Sequence, residues 1–252
     1  MNQSSFKVLT YNIHKGFNAS NRRFILHQIK NLLQTLNADV VFLQEIQGEH
    51  RHKSSIHHDW PEQSQFEFLA DEVWPHHAYG KNAIYKAGHH GNAILSKFPF
   101  VKYENINVSY MKSASRSLLH GVVSPQMSAL PLHVVCVHLG LFEMERRKQL
   151  SKLVERINEH VPENEPLIIA GDFNDWKGRS DRYLGDFLGV KEVFKSASGQ
   201  YARTFPAWLP MLSVDRIYCR GLTVQHRQRL HEKPWRGLSD HLPLLAEFSL
   251  TG

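Results

Sequence analysis

The run Leu167-Ile168-Ile169-Ala170 stops abruptly at Gly171, and Asp172, Phe173, Asn174 and Asp175 follow at once. Four apolar residues cut off by glycine describe a strand buried on both faces, as in sheets covered by helices. A strand that ends this way pushes acceptor oxygens out of the sheet edge, where α/β folds build their sites. A strand followed by an Asx-rich turn would carry the same letters. The two readings part company on whether other strands of the chain end in the same kind of residue.

Several do. Phe6 to Asn12 is a β-branched and aromatic strand ending in a carboxamide, and Val40 to Glu45 is an apolar strand ending in a carboxylate. Pro131 to His138 ends in a histidine, Val214 to Tyr218 carries Asp215 at its entry, and Ser239-Asp240-His241 precedes a last strand from Leu244 to Leu250. Between the first two strands, Ile25, Ile29, Leu32 and Leu36 recur at helical spacing, with Ser20 or Asn21 as the expected cap. From Glu143 onward, Leu150, Leu153, Val154, Ile157 and Val161 share one face of a long helix that leads into Leu167. Each helix joins two strands, so the chain reads as two βαβ units resembling one another, with added strands near 91–96, 101–108, 118–123 and 222–230. Short helices are expected at Phe66 to Trp74, stopped by Pro75, and around Tyr183 to Leu188. No linker, repeat or low-complexity stretch interrupts the 252 residues, which read as one α/β domain.

The remaining polar stretches carry less information. Residues 46–65 hold His50, His52, His57 and His58 without a carboxylate or cysteine at ligand spacing, and a solvated loop is expected there. His76-His77 and His89-His90 are expected in loops flanking Tyr79 to Asn82. Thr204 to Pro210 reads as a rigid aromatic loop of the kind that lines a cleft. Cys136 and Cys219 sit in apolar runs and read as buried thiols, which favours a reducing, cytoplasmic compartment. The N-terminus lacks the pattern of a signal peptide, and no apolar stretch is long enough to span a membrane. A formal charge of +6 favours anionic partners: nucleic acid, a phosphoester substrate, or an anionic lipid surface. Arg216 to Arg236 is the most basic tract, and Trp208 and Trp235 beside it suit a polyanion path with stacking platforms.

Strand ends and loops thus offer Asn12, Glu45, His138, Asp172, Asn174, Asp215, Asp240 and His241, with no cysteine among them. Hard oxygen donors with two histidines suit Mg²⁺ or Mn²⁺ better than structural zinc. Each residue alone has a plain structural alternative: a turn, a surface carboxylate, a core histidine. Their ordered joint occurrence carries the functional reading.

Taken in order, Thr10-Tyr11-Asn12, Gln44-Glu45, Val137-His138-Leu139, Gly171-Asp172-Phe173-Asn174, Asp215-Arg216-Ile217 and Ser239-Asp240-His241 resemble the motifs of the endonuclease/exonuclease/phosphatase superfamily, the DNase I-like proteins. Asn12-Ile13-His14-Lys15-Gly16, Tyr79-Gly80-Lys81-Asn82-Ala83 and His89-His90-Gly91-Asn92-Ala93 resemble more narrowly a bacterial branch of it. The resemblance implies a four-layer α/β/β/α sandwich and a divalent-metal phosphodiesterase, of nuclease or DNA-repair type in the first reading. A lipid-headgroup or inositol-phosphate phosphoesterase is the alternative.

The resemblance further implies roles. Glu45 would be the main ligand of Mg²⁺ or Mn²⁺, helped by Asn12 and Asp240. Asp215 would orient His241, which serves as general base or phosphate contact, while Asp172 and Asn174 orient water and phosphoryl oxygens. Arg116 and His138, with Asn174, would contact the phosphate. One departure stands out: the nuclease branch pairs a glutamate ahead of the Gly91 strand with the strand-end histidine, and Lys81 to His90 contains no acid. Double-strand cleavage of the DNase I kind is therefore less expected.

Overall fold

The computed structural model describes residues 5–50, 57, 59–85, 88–110 and 115–250. In chain order the elements are β1 (Ser5–Asn12), α1 (Leu26–Leu36), β2 (Val40–His50), α2 (Gln65–Ala70), β3 (His76–Tyr85), β4 (Gly88–Ser96), β5 (Phe100–Asn107), β6 (Ser117–Val123) and β7 (Leu132–His138). There follow α3 (Glu143–His160), β8 (Leu167–Asp172), α4 (Arg179–Leu188), β9 (Lys191–Glu192), α5 (Val193–Ser198), β10 (Asp215–Arg220), β11 (Leu222–Arg229) and β12 (Leu244–Leu250). They form two six-stranded sheets, ordered β11-β12-β1-β2-β4-β3 and β5-β6-β7-β8-β10-β9. The two expected βαβ units are present, since β1 runs parallel to β2 and β7 parallel to β8.

Strand alternation decides the layers. On β1, Phe6 and Val8 face the second sheet, where Val134, Cys136, Ile168 and Ala170 meet them in a shared core. Leu9 and Tyr11 point the other way and pack under Leu26, Ile29 and Leu33 of α1 and Leu69 of α2. On the far side, Val135, Val137, Leu167 and Ile169 are covered by Leu150, Leu153 and Ile157 of α3 and by Leu184 and Leu188 of α4. The result is the α/β/β/α sandwich. Both cysteines are buried free thiols, and no helix among the described residues is long and apolar enough to cross a membrane.

Local chemistry moved several boundaries. Neither Ser20 nor Asn21 caps α1. The Asn18 side chain takes the amides of Arg22 and Arg23, which holds that segment in a turn, and the helix starts at Leu26 without a side-chain cap. α2 opens with a Ser64–Glu67 capping box and ends at Ala70, before Trp74, whose indole donates to the Ala38 carbonyl at 2.8 Å. His76-His77 and His89-His90 lie in paired strands, not loops, because β3 and β4 form an antiparallel hairpin. β3 is the edge strand of its sheet, and polar residues there keep an open edge from pairing further. β2 likewise continues through His50, so the expected loop from 46 begins later; residues 51–56 and 58 lie outside the described ones. His57 packs against Phe24 and Phe17.

Candidate active site

β7 and β8 are parallel neighbours, and β10 joins β8 antiparallel with Asp215 opposite Asp172. This places the ends of β7 and β8 and the entry of β10 at one edge of the sheet. In the other sheet Asn12 ends β1, and the Ser239 hydroxyl donates to its carbonyl at 2.7 Å, which ties the loop before β12 to the same place. Asn12, His138, Asp172, Asn174, Asp215 and His241 converge there, all buried.

Gly171 makes the convergence possible. It has φ +146, and a Cβ there would lie 2.0 Å from the Val137 carbonyl oxygen. Only glycine lets β8 approach β7 this closely before the chain turns into Asp172.

Asp172 is the hub. Its Oδ1 accepts the Asn174 amide at 2.9 Å, and its Oδ2 accepts the Asn12 carboxamide at 3.2 Å. His138 Nε2 stands 3.6 Å and His241 Nε2 3.9 Å from the same Oδ2. Asn174, in the left-handed region at φ 50, donates its side chain to the Leu139 carbonyl. His241 Nδ1 is 2.9 Å from Asp215 Oδ2, and its ring packs 5.0 Å from Phe205. The Ser239 hydroxyl also accepts the His241 amide, which sets the loop.

Charges follow from these contacts. Burial opposes a cation at His241, but Asp215 at hydrogen-bond distance, with Asp172 and Asp240, outweighs it and raises the imidazole well above its ordinary value. Burial raises Asp172, and Asp215 across the strands adds to it. Burial together with the Arg116 charge pushes His138 down to about 3, so that ring is neutral at pH 7. The contribution of the Asp215–His241 pair to stability is therefore fully present below the ordinary histidine pKa and is lost as pH rises through the raised one. Asp215→Asn removes the anion and leaves burial dominant. The His241 ring of that variant is expected to titrate at lower pH than in wild type, read by NMR in chelator; an unchanged titration would contradict the pairing.

Glu45 sits where β2 breaks register between Leu43 and Ile46, with φ 58. The bulge turns its carboxylate toward the site. Burial would raise this acid, but His138, Lys15, His14 and His241 together bring it down to about 2. Its Oε2 is buried and accepts no hydrogen bond, with Lys15 Nζ 3.4 Å away. Asp240, partly exposed, stands 4.0 Å from His14 Nδ1. A charged carboxylate oxygen without a hydrogen-bond donor fits a divalent cation. Asp172, Asp215 and His241 also bring ligand-type atoms within 4.8 Å of one another. Those atoms are already engaged with each other and with Asn12 and Asn174, so Glu45 is the better fit.

His14, Lys15 and His90 belong to this surround and escaped the reading by strand ends. Burial and the nearby Lys15 charge hold His90 down to about 4, with Glu45 opposing. Their signal lay in the Asn12–Gly16 and His89–Ala93 stretches. Arg116 is half-buried beside His138, as its effect on that ring requires. Arg216 is fully buried, donating to the Asp175 carbonyl, and Arg220 donates to the Leu188 and Pro162 carbonyls. Both are structural, and the expected basic tract loses its first members. Trp235 is also buried, edge-on to Tyr11, and offers no stacking face.

The family model of the endonuclease/exonuclease/phosphatase family matches residues 9–241. The chain belongs to this family. Its members are phosphoesterase hydrolases that generally use divalent metals. Within reach of this family member is the uncharacterized protein YbhP of Escherichia coli (strain K12), 47% identical over 248 residues, 98% of either chain. An endonuclease/exonuclease/phosphatase from Beutenbergia cavernae DSM 12333 superimposes with TM-score 0.78 at 20% identity, over 98% of this chain and 72% of that one. D. rerio TDP2, complexed with single strand DNA product, does so with TM-score 0.72 at 21% identity, over 98% and 99%. At such identities the superpositions speak for the fold.

Proposed function

We propose that this protein is a divalent-cation-dependent phosphodiesterase. The observation that carries the reading is the ionised, partly exposed Glu45 side chain, whose buried Oε2 accepts no hydrogen bond and stands 3.4 Å from Lys15 Nζ, close to His138 and His241 of the Asp172–His241–Asp215 network. Glu45, with Asn12 and Asp240, would hold Mg²⁺ or Mn²⁺. Such a cation polarises phosphoryl oxygen and lowers the pKa of water bound to it.

The chain's own groups divide the remaining work. Asp172, held at both oxygens and raised by burial, orients the attacking water and accepts its proton. His241, kept cationic by Asp215, donates from Nε2 to a phosphoryl oxygen as negative charge builds. Of the two roles open to His241, the raised pKa favours phosphate contact over general base. Neutral His138, with Asn174 and Arg116, supplies further donors to the non-bridging oxygens.

For the substrate, nucleic acid is the first reading. The charge of +6 and the likeness in fold to TDP2 bound to a DNA product support it. A lipid headgroup is the second, favoured by the exposure of Trp208 and Leu209 in the loop beside His241. The core reading is tested with a soluble bis-aryl phosphodiester. Hydrolysis is expected to vanish in EDTA and to return with Mg²⁺ or Mn²⁺; full activity in chelator would defeat it.

A further inference from the structure

Fourteen large apolar side chains are exposed among the described residues, and half of them lie on three loops at the site edge or, in the case of Met144, in the first turn of α3 that follows one of them. Leu141, Phe142 and Met144 follow His138, Trp176 follows Asn174, and Trp208, Leu209 and Met211 precede Asp215. The loops are bound to the site and to one another. The Leu139 amide donates to the Asp172 carbonyl, Arg146 lies over the Trp176 ring, and the Ala207 amide donates to the Asp240 carbonyl. Scattered exposed apolar residues need no explanation, but a group surrounding one site does.

Charge accompanies the apolar rim. With the buried Arg146, Glu145 and Asp175 left out, residues 139–148, 173–182, 200–213 and 229–238 hold nine lysines and arginines against three carboxylates. The last segment joins the site through the Leu230 amide, which donates to the Pro243 carbonyl. A rim of exposed aliphatic and aromatic tips set among cations fits the boundary of an anionic bilayer, where apolar tips enter the acyl region and cations meet headgroups. Single-stranded nucleic acid would use the aromatic faces, but Leu141, Met144, Leu209 and Met211 have no π-face on which a base stacks. A second copy of the chain seated on this rim would cover the mouth of the site.

We propose that these three loops form an interfacial docking surface that seats the protein on an anionic lipid bilayer, with the candidate active site facing the headgroups. The proposal rests on the phosphodiesterase reading for its purpose, since the bilayer then presents phosphodiesters to the site; the binding itself is independent of catalysis.

The test is sedimentation of the full chain, in chelator, with vesicles of phosphatidylcholine alone or mixed equally with phosphatidylglycerol. Wild type is expected to partition to the mixed vesicles and poorly to the neutral ones. Phe142 is 65% and Trp208 66% exposed, and neither is among the groups assigned to the chemistry, so Phe142→Ser with Trp208→Ser is expected to leave the fold and the site in place. The double variant is expected to lose at least about tenfold in partitioning while hydrolysing the soluble diester like wild type, about 1.4 kcal/mol of binding. Absence of wild-type binding, or equal binding by the variant, overturns the proposal. So does a variant that keeps vesicle binding but loses single-stranded DNA binding or a wild-type dimer. Vesicle binding with no diester hydrolysis would count against the phosphodiesterase reading alone.

Discussion

Asp172→Asn is expected to lower turnover on a soluble phosphodiester by roughly 10²–10⁴-fold, the range a positioned proton acceptor supplies, with divalent-cation affinity unchanged. The substitution keeps the size of the side chain and its acceptor oxygen for the Asn174 amide. What it removes is the second carboxylate oxygen, which accepts from Asn12 and faces both histidines. His241→Ala is expected to fall as well, by about 10²–10³-fold for one lost donor to the developing charge. The contrast between them lies in pH. The Asp172 reaction requires the ionised carboxylate, so wild-type kcat/KM should fall as pH drops through the raised Asp172 value, and that limb should persist in His241→Ala. Near-normal turnover of Asp172→Asn would remove the carboxylate from the chemistry.

Glu45→Gln is expected to weaken Mg²⁺ or Mn²⁺ binding by at least on the order of 10–100-fold, since even outer partners of metal ligands have effects of that size. Glu45 is buried at its Oε2 and ionised at every working pH. As a depressed acid, it contributes stability above the ordinary carboxylate pKa, and that contribution is lost only as pH falls through about 2. Calorimetry measures the affinity directly. Thermal melting supplies a readout apart from activity: the cation should raise the wild-type midpoint and leave that of Glu45→Gln almost unmoved. Equal cation affinity in the two proteins would assign the metal to other residues.

Much of the fold was written in local patterns. Val40 to Leu43, Val134 to Val137 and Leu167 to Ala170 are buried on both faces, and a continuous apolar run is the direct record of that. α3 was readable because Leu150, Leu153, Val154 and Ile157 recur on one face. β3 and β4 were not. Their histidines and glycines carry little β propensity, and the pairing that makes them strands is set by β2 alongside. α2 ended earlier than expected because the backbone leaves the helix at Asp71 and Glu72 takes a positive φ, and the Trp74 indole beyond it is held by the Ala38 carbonyl.

The catalytic residue types were legible because strand ends announce themselves: an apolar run halts and a carboxylate, carboxamide or imidazole stands at its edge. From the sequence alone Asp172, Asp215 and His241 could be named, but not the order of their contacts. The antiparallel register of β8 and β10 sets Asp215 opposite Asp172, and the loop before β12 then brings His241 onto Asp215. Tertiary structure also sorted cations that look alike as letters. Arg216 is enclosed and bound to backbone carbonyls, whereas Lys15, far from it in the sequence, stands beside Glu45. The physical reason is range: propensity and periodicity act over a few residues, while burial and Coulomb interactions depend on distances that the packing of two sheets creates.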